Sequence, residues 1–363
     1  MSRARDFADL AGSADAGGIT GSNLVINGAM TVAERATSAT VTTGTGPQTC
    51  DRFFVEASSS GTFTVTQSTT SPDGFSNSLK FDCTAADASP NYLLFGYRFE
   101  GQDVQNLKKG TSGALSTTLS FYVRSSKTGT YQVNLRDIDN ARIIGATYTI
   151  SSADTWELKT VTFVGDTSGT LDNDNGNSLT IEWWLAAGST YNSGAVPTAW
   201  EATANGDRAA GLNVAIGAST SDDFHITGVQ LEVGEQATPF EHRSFADELR
   251  RCQRYYAVRK NTAGSLKYYG QTLQAYGTSS VYGLIADYPV TMRATPTVSQ
   301  SGAFGAYTAS SANNSMASTI GGLFATSHAW GTSGWSGNSN LVAGYASVMY
   351  ADTNAKLMAD AEL

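Results

Sequence analysis

The sequence predicts an all-β protein: a jelly-roll-like β-sandwich, one connecting helix and a smaller C-terminal β domain. Three observations carry this. Short runs of alternating apolar and polar residues recur from Asn23 onward, and Gly or Asn/Asp turn signals separate them. Charged residues make up only 15% of the 363, fewer than helix surfaces dense in Glu and Lys would supply.

Residues 1–21 come first. Ser2 is a possible cap, and Ala4, Phe7, Ala8 and Ala11 share one side of a short helix before Gly17, Gly18 and Gly21. So short a helix is marginal alone. The segment therefore reads either as a peptide that folds on docking, with Arg3, Arg5, Phe7 and Leu10 as its contacts, or as a frayed terminus.

Residues 22–243 form the sandwich. Thr62–Thr66, Ser78–Phe81, Leu115–Val123, Tyr131–Leu135, Trp156–Phe163 and Leu179–Trp183 each read as a strand with one buried face, and Gly74, Gly110, Gly129 and Asp172–Gly176 punctuate them. In a last strand, Gln230–Val233, alternation buries Leu231 and Val233. Pro239 and Phe240 then end the sheet, because proline cannot donate to a ladder.

Residues 244–256 form the connecting helix. Ser244 caps it with Asp247 three residues on, and Phe245, Leu249, Cys252 and Tyr256 fall on one stripe. Arg243, Arg250, Arg251 and Arg254 crowd the other faces, either as a solvated surface or as a grip for an anion. Residues 257–363, rich in Tyr, Gly, Ser and Ala, form the distal β domain. Its small residues predict a core that neighbouring copies complete.

Composition excludes several functions. A net charge of -9 offers no footprint for nucleic acid. No apolar run approaches the roughly 18 residues of a membrane helix, and no signal-peptide core follows the charged Met1–Asp6. Cys50, Cys83 and Cys252 are odd in number and widely spaced, which predicts reduced, buried thiols made in a cytoplasm. No nucleophile elbow, HExxH, P-loop or dinucleotide fingerprint is present, and the three histidines lie far apart. The expectation is a protein that is not an enzyme. Asp137 with Asp139, or Asp172 with Asp174, are the carboxylate pairs a glycosidase reading would need, in turn contexts that suit solvent or calcium equally.

Sugar binding needs exposed aromatic faces. In the sandwich, Trp183, Trp184, Tyr191 and Trp200 are the candidates; adjacent Trp183 and Trp184 point to opposite faces of a strand, which predicts one in the core and the other exposed or covered by a loop. In the distal domain Trp330 and Trp335 sit in a Gly/Ser-rich stretch of loop type, as contact anchors or as packing.

Two regions carry a resemblance. Asn23–Met30, Cys50–Phe53, Asp73–Lys80 and Ser120–Ser126 resemble the carbohydrate-binding-module-like sandwich of bacteriophage tail proteins. Ile226–Gly234, Ala237–Ser244 and Glu248–Tyr256 resemble the end of that module in tail fibres, and Met292–Val298 resembles a phrase that follows it. The resemblance implies a trimeric or otherwise oligomeric virion tail component, held to other tail proteins by its N-terminal segment and meeting a host surface glycan or protein with its distal part; the expectation adopted is a homotrimer assembled in the host cytoplasm. It implies neither nucleic-acid binding nor membrane insertion. It implies no certain cofactor; a structural calcium on Glu232 and Glu241 is open, as is a plain surface role for each. A head fibre or decoration protein, a tail depolymerase and a secreted sugar-binding module are the alternatives.

Overall fold

The computed structural model describes the backbone of residues 23–261, 267–278, 280–308, 316–317, 320, 323–335 and 341–363, and side chains for 23–261, 272–278, 280–306, 320, 323–331 and 341–363. The proposed docking residues Arg3, Arg5, Phe7 and Leu10 lie outside them. The chain divides into two units, Met1–Glu248 with Leu363, and Leu249–Glu362.

In the first unit the strands are β1 (Ser38–Pro47), β2 (Phe53–Ser68), β3 (Ser78–Ala85), β4 (Tyr92–Glu100), β5 (Thr117–Ser125), β6 (Gly129–Asp137), β7 (Arg142–Ile150), β8 (Glu157–Phe163), β9 (Asn177–Ala187), β10 (Glu201–Ala202) and β11 (Asp223–Val233). They pair in the order β10-β7-β6-β9-β4-β2-β3-β11-β5-β8, with β1 beside β2. The long strand β2 turns this path into two layers. Its first part, Phe53–Ser58, pairs with β4, and its second, Thr62–Ser68, pairs with β3. The result is an all-β sandwich, as composition and alternation predict.

The core lies between the layers. Phe95 of β4 stacks on Trp183 of β9 at 5.1 Å, and Trp183 meets Phe121 of β5, in the other layer, edge-on at 5.7 Å. All six predicted strand runs fall in strands, though Leu115 and Ser116 lie just outside β5 and Trp156 just outside β8. Strand β4 escaped the alternation pattern because both of its faces are covered: Leu93, Phe95 and Tyr97 enter the core, and Leu94 is buried on the opposite face.

Ser244 caps the helix Phe245–Gln253; its hydroxyl oxygen accepts from the Asp247 amide at 3.2 Å and its O–H donates to the Asp247 carboxylate at 2.6 Å. The predicted stripe needs correction. Phe245 is 57% exposed, whereas Glu248 is buried, because Glu248 reaches back to accept from the Asn27 amide and from Arg243. The helix ends at Gln253, so Tyr256 opens a strand instead of continuing the stripe.

The second unit contains β12 (Tyr256–Lys260), β13 (Lys267–Ala275), β14 (Val281–Asp287), β15 (Thr297–Ser301), β16 (Phe304–Thr308), β17 (Met316–Ala317), β18 (Leu323–Ala325), β19 (Ala329–Trp335), β20 (Ala346–Ala351) and β21 (Lys356–Asp360). They form a three-stranded sheet, β12-β21-β15, and a seven-stranded one, β17-β16-β20-β13-β14-β19-β18. Ala257, Ala275, Ala286, Ala306, Ala351 and Ala359 line its core, with Leu273, Ile285, Trp330, Met349 and Leu357 supplying bulk.

Candidate functional site

Strand register decides which side chains share the outward face of the β7-β6-β9-β4-β2 layer. One row across the strands is Glu56, Leu94, Trp184, Gln132 and Thr147, and the next is Phe54, Gly96, Glu182, Asn134 and Gly145. This is a polar and aromatic face, and the chain covers it itself. The segment 188–216 lies across it, its backbone held by sheet side chains. Gln132 Nε2 donates to the Asp207 carbonyl at 2.9 Å and its Oε1 accepts from the Gly211 amide at 2.7 Å; Asn134 Nδ2 donates to the Arg208 carbonyl at 2.7 Å. Gly145 donates to the Pro197 carbonyl at 2.7 Å, an approach that a side chain would block, since a Cβ there would stand 2.3 Å from Asn134 Oδ1.

Arg208 fastens the centre. Its guanidinium donates to Glu182 from Nη2 at 2.8 Å and from Nε at 3.2 Å, and lies 5.0 Å from the Trp184 ring and 5.4 Å from that of Tyr191. Arg136 reaches the same carboxylate at 2.5 Å. Burial pushes the Glu182 carboxyl up, and the Arg208 and Arg136 guanidiniums outweigh it, so the group sits below the ordinary carboxylate value.

The tryptophan pair takes the second of the two expected forms. Trp183 and Trp184 point to opposite faces and both are 0% exposed, because the covering segment buries the outer one as the core buries the inner one. Tyr191 is half-buried in the same cover, against Tyr92 and Trp184. Trp200 is also partly buried; its Nε1 donates to the Val164 carbonyl at 2.7 Å and its ring faces the Lys109 ammonium at 5.0 Å. Trp183 and Trp184 thus present no free face for a pyranose to stack on, while Tyr191 and Trp200 remain partly exposed.

The carboxylate pairs serve turns and ion pairs. Asp137 is buried and binds the Lys109 ammonium, while Asp139 accepts from the Asp172 amide at 2.9 Å and Asp174 from the Gly176 amide at 2.7 Å. Lys109 also meets Asp166 at 3.0 Å, and Arg142 grips Asp166 at 2.7 Å.

The two phrases that carry the tail-protein resemblance meet as one clasp. Asn23 Nδ2 donates to the Val229 carbonyl at 3.1 Å, and its Oδ1 accepts from the Leu231 amide at 3.2 Å. Asn27, in the left-handed region at φ 62°, donates to the Val32 and Asp51 carbonyls, both at 2.9 Å, and accepts from the Val32 amide. Arg243 donates to the Val25 carbonyl and to Glu248, both at 3.0 Å. Glu232 is buried here, accepting from the Thr238 amide at 2.8 Å and hydroxyl at 2.7 Å, and Glu241 accepts from the Asn23 amide at 2.9 Å. A calcium on Glu232 and Glu241 would have to displace these donors. Among the described residues no group of three or more His, Cys, Asp or Glu side chains could hold a metal.

The second unit presents the aromatic surface that the tryptophan search missed. Trp330 lies in strand β19 instead of a loop and is 2% exposed, packed on Tyr288 at 4.2 Å; Trp335 ends the same strand, and its side chain is outside those described. Tyr276 and Tyr282, however, flank the β13–β14 hairpin turn, 77% and 42% exposed, with ring centroids 5.3 Å apart. Exposed Gln274 stands opposite Tyr282 in the register. Tyr345, 54% exposed, accepts from the Ala275 amide through its carbonyl. Two phenol rings beside an amide can stack an apolar sugar face and fix its hydroxyls. The early signal was the density of tyrosine after residue 255, read there only as composition.

No family model matches the chain, and no curated protein matches it. Among solved structures it is similar to the enzymatically active domain of bacteriophage CBA120 tailspike protein 4, at 12% identity and a TM-score of 0.31, over 59% of this chain and 22% of that one. The chain thus spans under a quarter of that structure. It is also similar to a putative sugar binding protein from Bacteroides thetaiotaomicron (11% identity, TM-score 0.32, 58% of this chain and 100% of that one). A third is the family 11 carbohydrate-binding module of a Clostridium thermocellum cellulosomal cellulase (12% identity, TM-score 0.28, 55% and 100%). These likenesses fix neither ligand nor assembly.

Proposed function

We propose that the chain is a structural, non-enzymatic tail-fibre protein of a bacteriophage virion, assembled in the host cytoplasm as a homotrimer. Residues 1–21 dock to other tail proteins, the sandwich is a rigid body, and the second unit contacts a surface glycan or protein of the host. One observation supports this division of labour: of the candidate sugar-stacking rings of the sandwich, Trp183 and Trp184 are fully buried and Tyr191 and Trp200 are partly buried, whereas Tyr276, Tyr282 and Tyr345 stand exposed in the second unit. The tail assignment itself rests on the resemblance of the two clasp phrases, and the absence of an enzymatic role is an expectation carried from the sequence.

The test combines light scattering of the full-length protein with binding to an array of bacterial surface polysaccharides, beside the Tyr276→Ala/Tyr282→Ala double variant. A trimer that binds at least one polysaccharide, with binding lost in the variant, supports the reading. A monomer, or binding unchanged in the variant, overturns it, and polysaccharide cleavage on the array would restore the depolymerase alternative.

A further inference from the structure

Lys109 occupies an unusual place for a lysine. Its side chain is 4% exposed, Asp137 opposite it is 0% exposed, and Nζ lies 2.5 Å from Asp137 Oδ2. The Cγ atom of Asp137 is therefore within one further carbon–oxygen bond of the nitrogen. A second carboxylate, Asp166, 4% exposed, meets the same Nζ at 3.0 Å. The carbonyls of Ser168 and Gly169, both at 2.9 Å, hold the nitrogen in place, and the Trp200 ring closes the site at 5.0 Å. On its far side the Asp137 carboxyl is gripped by Asn140, whose main-chain N–H donates to Oδ1 at 2.9 Å and whose Nδ2 donates to Oδ1 at 3.2 Å and Oδ2 at 2.9 Å.

We propose that Lys109 and Asp137 become joined by an intramolecular amide bond once the sandwich has folded. The parts that such a condensation needs are all in contact with the reacting atoms. A proton passes from the ammonium to Asp137 Oδ2 along their hydrogen bond, leaving a neutral amine beside a neutral acid. Nζ then attacks Cγ, and the negative charge that develops on Oδ1 faces the two Asn140 donors, already placed as an oxyanion site. Asp166 accepts a proton from the attacking nitrogen and delivers it to Oδ2, which leaves as water. Arg142, at 2.7 and 3.1 Å from Asp166, holds that carboxylate ionised and ready to accept.

The balance is one ammonium and one carboxylate giving one amide and one water, with Asp166 unchanged and no oxidant or activating reagent needed. Holding amine and acid together in a single buried geometry removes the entropic barrier that makes such condensations slow in solution. The amide retains one N–H, which still faces the Ser168 and Gly169 carbonyls. The new bond would tie the segment before β5 to the end of β6 and close a covalent loop through the sandwich, a reinforcement suited to a part that bears load.

The experiment is the intact mass of the purified full-length protein, measured denatured, followed by mapping of the proteolytic peptides. The expected result is a chain one water lighter than its sequence requires, with a branched peptide containing both Lys109 and Asp137. Lys109→Arg keeps the charge but lacks the amine chain, and Asp166→Asn lacks the proton carrier; both are expected at the full sequence mass. A wild-type protein at full sequence mass overturns the proposal and leaves Lys109 in an ion pair. A water loss that persists in Lys109→Arg places it elsewhere in the chain and overturns it equally.

Discussion

The main-chain amide of Asn23 donates to the Glu241 carboxylate at 2.9 Å across 218 residues of sequence. Arg243, beside it, is 8% exposed at its side chain and donates to the carbonyls of Asn23 and Val25 and to Glu248. Replacing Arg243 by Ala leaves buried carbonyls and a carboxylate without their donor, and is expected to lower the unfolding free energy by about 2–4 kcal/mol. Urea titration of the variant checks this; a loss below roughly 0.5 kcal/mol, the range of an ordinary surface change, would show that the clasp carries no load.

Stability should fall in acid, and Glu182 sets part of the window. Its folded value is depressed, so its contribution is complete above the unfolded glutamate value of about 4.3 and is lost as pH drops through the lower, folded value. Asp166 acts with the same sign: burial raises it, and its hydrogen bonds to Arg142, Ser168 and Lys109 together bring it below the ordinary aspartate value. Urea midpoints recorded from neutral pH downward should be flat above about pH 5 and decline below it, more gently in Glu182→Gln than in the parent. Equal slopes would remove Glu182 from the account.

Trp183 and Tyr276 make a contrasting pair. Trp183→Ala empties a site bounded by Phe95 and Phe121 and is expected to cost about 3–5 kcal/mol, whereas Tyr276→Ala at 77% exposure should stay within about 0.5 kcal/mol of the parent. Thermal or urea unfolding reads both. A Tyr276→Ala protein as unstable as the tryptophan variant would mean that this ring is a packing element.

The three thiols should be silent in the native state. Cys50, Cys83 and Cys252 are buried and unpaired with one another, and burial pushes the Cys50 thiol far up, so little thiolate exists to react. A thiol reagent is expected to label none of them within the time it labels all three in denaturant; fast native labelling of Cys50 contradicts the packing described.

The layered β architecture was legible because alternation reports one-sided burial, as in Tyr131–Leu135 and Thr62–Thr66. Where both faces are covered the pattern vanishes, and Tyr92–Glu100 is such a strand. The same cover decides what period two left open for Trp184: alternation sends it away from Trp183, but nothing local tells exposure from cover, and residues 188–216 return to lie over it. Glu232 and Glu241 were recognisable as members of a motif, yet their hydrogen-bond donors sit on Thr238 and on Asn23, and only the folded chain reveals the second. For Lys109, no motif in sequence joins it to Asp137 and Asp166, since the loop before β5, the end of β6 and the loop after β8 bring the charges together.

The pairing of Asn23 with Glu241 also bears on how this protein could change over generations. The sandwich begins and ends at nearly the same point, so whatever lies before residue 23 and after residue 243 is joined across a gap of about one hydrogen bond. A body attached in this way is a cassette. Its ends adjoin, so a domain with similarly adjacent ends could take its place without lengthening the chain around it, by exchange at these two phrases.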